Sequence, residues 1–217
     1  MPTAREALLD AALAALGARP WAAVRMVDVA SAAGVSRQTL YNEFGSKEGL
    51  ARALVRREAD LYLRGVDRVL ADRVGPAERL VSLAEWTVRS ARASALVRAL
   101  LTGCWGERLP APRPLRPPGA YSPVPAQRRA DAGVPGPAEL VATVRDRSLA
   151  MLEKELPGAD SVELARSCET VVRLALSYVT APAPETAAPG TPGGTGHVVH
   201  VRALLARTPL RPVSPGP

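Results

Sequence analysis

The amino-acid sequence predicts an all-α protein, in which a head of three short helices is joined through a fourth helix to a larger helical bundle. Apolar residues recur every three or four positions over most of the chain, which is the period of an α-helix with one buried face. Residues that cap helix ends stand at the boundaries of these periodic segments. No segment shows the alternation of apolar and polar residues that is typical of a β-strand.

The first two helices are predicted from capping and dipole signals. Thr3 and Glu6 have the spacing of a capping box, so helix 1 begins there. Gly17 is expected to end that helix in a left-handed conformation, shortly before Pro20. Asp28 lies in the first turn of helix 2, where a carboxylate is stabilised by the helix dipole.

Glycine and serine mark the boundaries of the next two helices. Gly34 supplies the positive φ that ends helix 2, and Ser36 is a favourable N-cap for helix 3. Gly45 closes helix 3 and Ser46 opens helix 4. The helical period then continues until Gly75-Pro76 breaks it. Helix 4 therefore links the head to the body.

The body contains five more predicted helices. Helices 5 and 6 carry apolar residues at helical spacing between positions 80 and 101. Pro137 suits the first turn of helix 7, which stops at Pro157-Gly158. Asp160 is a capping residue for helix 8, which has a long apolar stripe. Apolar residues within 198–205 predict one last short helix.

Segments rich in proline or glycine separate these elements. The prolines of residues 107–137 remove amide donors and bar regular helix, so a long, partly mobile loop is expected. Residues 180–196 consist largely of Pro, Gly and Thr and are expected to be disordered. The predicted organisation is a head at 1–50, a helical body at 51–206 and a disordered tail at 207–217.

The formal net charge of +7 and the pI of about 10.2 suit a polyanionic partner. Within residues 1–50, however, the cations are matched by an equal set of acidic side chains. The head therefore has no bulk excess of positive charge. The placement of particular residues, rather than the net charge, must support any argument for nucleic-acid binding.

Several classes of protein are disfavoured by the sequence. Cys104 and Cys168 are far apart and lie among apolar residues, which indicates thiols of a reducing compartment. No metal-site spacing is present, no cofactor motif is found, and no apolar run reaches the roughly 18 residues of a membrane span. The protein is expected to be cytoplasmic. No nucleophile and base can be assembled for an enzyme, because His197 and His200 both stand near the C-terminus, where solvated side chains are expected.

Residues 28–50 form the most informative stretch of the chain. Ala30 is small where two short helices must cross closely, and Val35 and Leu40 fill the gap between them. This arrangement leaves the opposite face of helix 3 exposed. Its N-terminal end carries Arg37, Gln38 and Thr39. Arginine can donate two hydrogen bonds to guanine in a major groove, and glutamine can pair with adenine in the same way. The alternative is a solvated helix face.

This stretch resembles the head of the TetR/AcrR family of transcriptional regulators. The resemblance rests on an alanine-rich helix followed by Ala-Gly-Val-Ser, Thr-Leu-Tyr, Phe and Ser-Lys-Glu-Gly-Leu, and it covers roughly residues 4–56. It implies a homodimer whose two recognition helices bind a palindromic operator, with Tyr41 and Lys47 on phosphates and a ligand pocket in the body. The sequence departs from the family at Arg25, where Thr is frequent, and at Asn42, where His is frequent.

The predicted DNA-binding residues follow from the motif and from this resemblance. They are Arg25, Ser36, Arg37, Gln38, Thr39, Tyr41, Asn42 and Lys47. A cation at Lys47 opposes the helix dipole unless an anion such as a DNA phosphate docks there. The alternatives are an exposed lysine paired with nothing and, for Tyr41, packing against helix 1.

The body offers weaker candidates. An apolar or amphipathic effector is expected between helices 5, 6, 7 and 8, and the residues proposed to line its pocket, which are otherwise core, are Trp86, Trp105, Met151 and Cys168. By analogy with the family, and because its apolar stripe is longer than one core should need, helix 8 is expected to form the dimer interface, with help from the last short helix at 198–205. The expected contacts on helix 8 are Leu164, Val171 and Ala175. The function expected from all these features is a sequence-specific repressor released by a small molecule. The alternative is a nucleoid-type protein that coats DNA without choosing sequence.

Overall fold

The computed structural model of the protein describes residues 3–112, 133–181 and 196–207. Within these ranges the regular structure consists of α-helices and one short 3-10 turn, without a β-strand. The all-α prediction is confirmed. The bounds of the helices are α1 Ala4–Ala18, α2 Met26–Ala32, α3 Arg37–Phe44, α4 Lys47–Leu70, α5 Pro76–Ala93, α6 Ala95–Thr102, α7 Pro137–Glu155, α8 Ser161–Thr180 and α9 Gly196–Arg207, and the 3-10 turn spans Trp21–Ala23.

The chain divides into two compact units. Unit 1 comprises residues 1–60 and 104–135, and unit 2 comprises residues 61–103 and 136–217. Helix α4 begins in unit 1 and ends in unit 2. The sequence predicts that residues 104–135 belong to the body, whereas the described residues of this segment, 104–112 and 133–135, fall in the unit that contains the head. The described part of this segment is attached there by the Trp21 amide, which donates a hydrogen bond to the carbonyl oxygen of Arg108 at 2.9 Å.

Local capping signals are confirmed at three helices. The hydroxyl of Thr3 accepts from the amide of Glu6 at 3.2 Å, and the carboxylate of Asp160 accepts from the amide of Val162 at 2.8 Å. The hydroxyl of Ser36 accepts from the Thr39 amide at the start of α3. Each cap pairs an amide that the first turn of a helix otherwise leaves without a partner.

Of the three glycines predicted to end helices with a positive φ, two do so. Gly34 and Gly45 adopt φ values of 67° and 69°, as the two turns around α3 require. The prediction for Gly17 is wrong, because α1 continues through it to Ala18. The helix ends instead at Ala18. Arg19, which precedes Pro20, is extended because the proline ring disfavours helical geometry at the residue before it.

Unit 1 has a small core between its helices. Helix α1 packs against α2 and α3, and α3 packs against α2. The core side chains of these helices and of the first part of α4 include Leu8, Leu9, Ala12, Val29, Ala30, Leu40, Phe44, Leu50 and Leu54. Burial of this apolar area stabilises the helix pair that presents α3 to solvent.

Unit 2 is a bundle in which α8 packs against α5 and α7, and α9 packs against α5 and α8. The apolar stripe of α8 faces this core. Leu164, Val171 and Ala175 are 3%, 0% and 0% exposed within a single chain, so they are not available to a second copy. The choice of these three residues as dimer contacts is therefore corrected: the long stripe is needed by the chain's own core, because α8 has neighbours on two sides.

Several expectations concern segments that the structure does not describe. The middle of the proline-rich loop, at 113–132, lies outside the described residues, as do 182–195 and 208–217. Among the residues that are described, no helix is both long enough and apolar enough to span a membrane.

Candidate nucleic-acid interface

The turn between α2 and α3 brings two short helices into close contact. The amide of Gly34 donates to the carbonyl of Ser31 at 3.1 Å, and the amide of Val35 donates to Ala30 at the same distance. Leu40 on α3 is 0% exposed, and Ala30 on α2 is 2% exposed. The packing predicted from the sequence is therefore present: the crossing uses a small residue, and one face of α3 is buried.

The opposite face of α3 is polar and exposed. Arg37, Gln38 and Asn42 are exposed, and Tyr41 is 48% exposed. The side-chain amide of Gln38 donates to the Asn42 carbonyl oxygen at 2.9 Å, which links one turn of the helix to the next. The structure thus brings four of the predicted side chains onto one accessible surface, where they can meet hydrogen-bonding groups of a partner.

Ser36 and Thr39 are engaged at the start of α3. The Ser36 hydroxyl accepts from the Thr39 amide at 3.0 Å, and the hydroxyl groups of Ser36 and Thr39 lie 2.8 Å apart. These contacts hold the first turn of the helix in place. Thr39 is half-buried, so in this conformation its hydroxyl serves the helix end rather than the exposed face.

Arg25 stands at the N-cap position of α2, where its side chain makes no capping hydrogen bond. It donates instead from Nε and Nη2 to the two carboxylate oxygens of Asp28, each at 2.9 Å. These hydrogen bonds lower the pKa of the Asp28 carboxyl, with a smaller contribution from the charge of Arg19. Arg25 is thus held at the exposed edge of α2 by a carboxylate in its first turn.

Lys47 has partners inside unit 1. Its ammonium donates to the carbonyl oxygen of Ala22 at 3.0 Å and lies 5.6 Å from the centroid of the Trp21 ring. The alternative of a lysine paired with nothing is therefore wrong. The ammonium lies on a neutral carbonyl and a ring face, which stabilise it without neutralising its charge.

Sequence reasoning missed Trp21 and Arg57. Trp21 is buried, with Lys47 on its ring. The guanidinium of Arg57 on α4 lies 2.7 Å from a carboxylate oxygen of Asp10 and 3.5 Å from one of Glu6, which attaches α4 to α1. No local spacing reveals such a contact. An aromatic residue directly after Pro20 was the available signal for Trp21.

The four proposed pocket residues are divided between the two units. Trp86 of unit 2 lies against the backbone of α4, since a Cβ added to Gly65 would be 1.9 Å from the indole ring. Its indole N–H donates to the Tyr62 carbonyl at 3.2 Å. Met151 is half-buried in the same unit, and burial raises the pKa of the Cys168 thiol to about 12. Trp105 belongs to unit 1.

One of the two histidines of α9 differs from expectation. His197 is buried, so the prediction of a solvated side chain is wrong there. The Tyr178 hydroxyl on α8 contacts Nδ1 of His200, and its ring lies 5.8 Å from that of His197. These contacts attach α9 to α8. No group of three or more potential metal ligands occurs among the residues that the structure describes.

Comparison with known proteins identifies the head. A family model described as bacterial regulatory proteins, tetR family, matches residues 8–54. The chain is 44% identical over 101 residues to the HTH-type transcriptional regulator AlkX of Mycobacterium tuberculosis, a match that covers 46% of this chain and 47% of that protein. It is 39% identical over 99 residues to an uncharacterised HTH-type transcriptional regulator of the same species, covering 46% of this chain and 49% of that one. The chain thus spans about half the length of the relatives that it matches.

Solved structures show the same fold over nearly the whole chain. A TetR/AcrR-family regulator of Thermobifida fusca has a TM-score of 0.60 at 16% identity, covering 94% of this chain and 96% of that one. The TetR-family repressor AlkX of Dietzia sp. has a TM-score of 0.52 at 20% identity, covering 93% of each chain. Residues 8–54, which contain the helix-turn-helix geometry of α2 and α3, thus match the tetR family of bacterial regulatory proteins, and the chain has the fold of the solved TetR-family regulators.

Proposed function

We propose that this protein is a sequence-specific transcriptional repressor that acts in the cytoplasm, binds a palindromic operator as a homodimer and is released by a small apolar or amphipathic effector. The observation that carries the proposal is the exposed polar face of α3. Arg37, Gln38 and Asn42 stand on it, while Leu40 and Phe44 on the other side are buried. A short helix with this division can enter a major groove without disturbing the core of its unit.

Base readout is assigned to the N-terminal part of α3. Arg37 has the donor geometry for guanine, and Gln38 has a donor and an acceptor for adenine. The hydrogen bond between Gln38 and Asn42 orients the Gln38 amide before DNA arrives, which reduces the side-chain entropy lost on binding. Ser36 and Thr39 support this face by holding the first turn.

Phosphate contacts are assigned to Arg25, Tyr41 and Lys47. The 48% exposure of Tyr41 supports a phosphate contact for its hydroxyl over a role in packing. For Lys47, a phosphate near the N-terminus of α4 would supply the anion that the neutral carbonyl of Ala22 does not. Phosphate contacts position the protein on the duplex and weaken with added salt.

A homodimer is proposed because two-fold operators require two recognition helices. The buried stripe of α8 is not available for this contact, so the interface is assigned to the outward side of the same helix. That side carries Val162, which is 64% exposed, and the exposed residues Arg166 and Thr170.

The effector is assigned to unit 2, near Trp86. The Dietzia repressor with the same fold is described as implicated in the biodegradation of n-alkanes. Apolar chains of that kind are therefore among the first compounds to test for release of DNA.

The test begins with selection of the operator from a random DNA pool by the full-length chain. Arg37→Ala and Gln38→Ala should each relax the choice of base at one position per half-site, at a cost of about 1–3 kcal/mol on the selected operator. Arg73→Ala removes an exposed arginine of unit 2 and is the matched control, expected to bind as the parent protein does.

Two results would contradict the proposal. Equal loss of affinity on every DNA sequence would reassign Arg37 and Gln38 to phosphates. A complex of the parent protein that random competitor DNA removes as readily as the operator does would favour the nucleoid-type alternative.

A further inference from the structure

A groove of about 520 Å³ lies between α5 and α9 in unit 2. Its apolar lining includes Ala93 of α5, which is exposed, and Val198 of α9, which is half-buried. Arg89 and Arg92 of α5 lie along the same groove. The volume is within the range of about 300–1,000 Å³ that is typical of small-molecule sites.

The two arginines bring positive charge that no carboxylate of the described chain neutralises. The guanidinium of Arg89 lies over the Trp86 ring, 5.4 Å from its centroid, although Glu85 stands one helical turn away. Neither Arg89 nor Arg92 has an ion pair within 4.0 Å among the residues that the structure describes. Two arginines and one glutamate therefore leave the groove with an excess of positive side-chain charge.

The walls of this groove are held together by polar contacts. Arg202 of α9 lies 2.5 Å from the Glu78 carboxylate of α5, and His200 of α9 contacts Tyr178 of α8. These contacts fix α9 against its neighbours on both sides. The groove is thus a formed feature of unit 2, with an apolar floor and a cationic edge.

We propose that this groove binds a small amphipathic carboxylate, whose acid group pairs with Arg89 and Arg92 and whose apolar part lies on Ala93 and Val198. A guanidinium recognises a carboxylate through parallel N–H donors, and neither arginine has to leave another carboxylate to do so. The apolar lining favours a ligand with an apolar part over a fully polar anion, because only the former gains from burying apolar area there. The role of this ligand as an effector rests on the proposed function, but its binding does not.

The groove is connected to α4 through Trp86. One face of the indole lies under Arg89, and the ring packs on Gly65 of α4 while its N–H donates to Tyr62. A carboxylate that draws Arg89 towards itself removes a cation from the indole face and changes the contact that Trp86 makes with α4. The groove is therefore in contact, through Trp86, with the part of α4 that belongs to unit 2.

The experiment is isothermal titration calorimetry of the full chain with sodium octanoate, and with 1-octanol as the uncharged match. Octanoate should bind at least tenfold more tightly than 1-octanol. Arg89→Gln and Arg92→Gln should each weaken octanoate binding about tenfold, because each removes a charge-assisted hydrogen bond. Arg98→Gln, at an exposed position of α6, is the control and should leave binding unchanged.

Three results would overturn the proposal. They are equal affinity for octanoate and 1-octanol, unchanged octanoate affinity in both groove variants, and no heat from octanoate with the parent chain. Circular dichroism confirms that each variant is folded.

In a second measurement, octanoate should lower the operator affinity of the parent chain but not that of Arg89→Gln. If octanoate binds and operator affinity is unchanged, the effector role is wrong. If the chain fails to bind DNA without octanoate, the proposed function fails while the calorimetric result stands.

Discussion

Helix α3 in unit 1 and helix α8 in unit 2 are both amphipathic, but packing uses their two faces differently. Helix α3 has eight residues and buries only Leu40 and Phe44. Helix α8 has 20 residues, and its buried stripe includes Leu164, Val171 and Ala175. In α3 the residues proposed for function are the ones that packing leaves exposed. In α8 the residues predicted as dimer contacts are buried in the core of the same chain.

The difference shows how far a residue pattern can be used to predict function. A polar residue on a short helix that is not needed for a cap or an ion pair is free to meet a partner. An apolar residue on a long helix has a strong competing use, since burial stabilises by about 25 cal/mol per Å² of apolar area. Apolar stripes are therefore first evidence for a core and only then for an interface or a pocket.

The largest expected effect tests whether the α8 stripe is core. Val171→Asp should cost about 4 kcal/mol or more of the free energy of unfolding, because it buries a carboxylate without a partner at a site that is 0% exposed. Ala150→Asp, at an exposed position of α7 outside the proposed dimer interface, should cost less than about 1 kcal/mol. Urea unfolding followed by circular dichroism measures both. A Val171→Asp chain of normal stability that sediments as a monomer would show instead that the stripe faces a second copy.

The next largest effect compares two helical glycines, one in each unit. Gly65→Ala should destabilise by about 1–3 kcal/mol, because its Cβ would lie 1.9 Å from the Trp86 ring. Gly17→Ala in α1 should stabilise by about 0.5–1 kcal/mol, because nothing lies within 4 Å of its Cβ and alanine favours the helix. Thermal unfolding of the two variants measures the signs. The same sign for both would contradict the contact between Trp86 and α4.

A smaller effect tests the support of the exposed face of α3. Ser36→Ala should cost about 1 kcal/mol, because it removes the cap on the Thr39 amide. Ser31→Ala, at an exposed position of α2, is the matched control and should change stability by less than about 0.5 kcal/mol. Operator binding should weaken in Ser36→Ala alone. If stability falls and operator affinity does not, the order of the first turn is irrelevant to DNA binding.

The smallest effect concerns the exposed pair of Arg25 and Asp28. Because hydrogen bonds from Arg25 lower the Asp28 pKa, the stability they add is present above the unfolded pKa of about 3.9 and is lost as the pH falls through the lower folded value. The parent chain should therefore melt slightly higher than Asp28→Asn at pH 6, and the gap should close below about pH 4. A gap that is constant from pH 6 to 2.5 would show that the carboxylate charge does not matter.

Much of the local structure could be predicted, and the errors have a common cause. The caps at Thr3, Ser36 and Asp160 involve atoms two or three residues apart, so the sequence contains both partners of each contact. The prediction that Gly17 ends α1 is wrong because a glycine tolerates helical as well as left-handed geometry. Pro20 determines where the helix ends. The exposed face of α3 was predicted because the crossing of two short helices leaves few ways to pack them.

The sequence by itself determined the helix class, the turn glycines Gly34 and Gly45 and the polar residues of α3, because these depend on interactions within about one helical turn. Tertiary structure alone decided the partners of Lys47, Arg57 and Trp86. Lys47 meets Ala22 across 25 positions, and Arg57 meets Asp10 across 47. Contacts at such separations depend on how helices are arranged in space, and that arrangement is selected by the burial of whole apolar faces rather than by any local spacing.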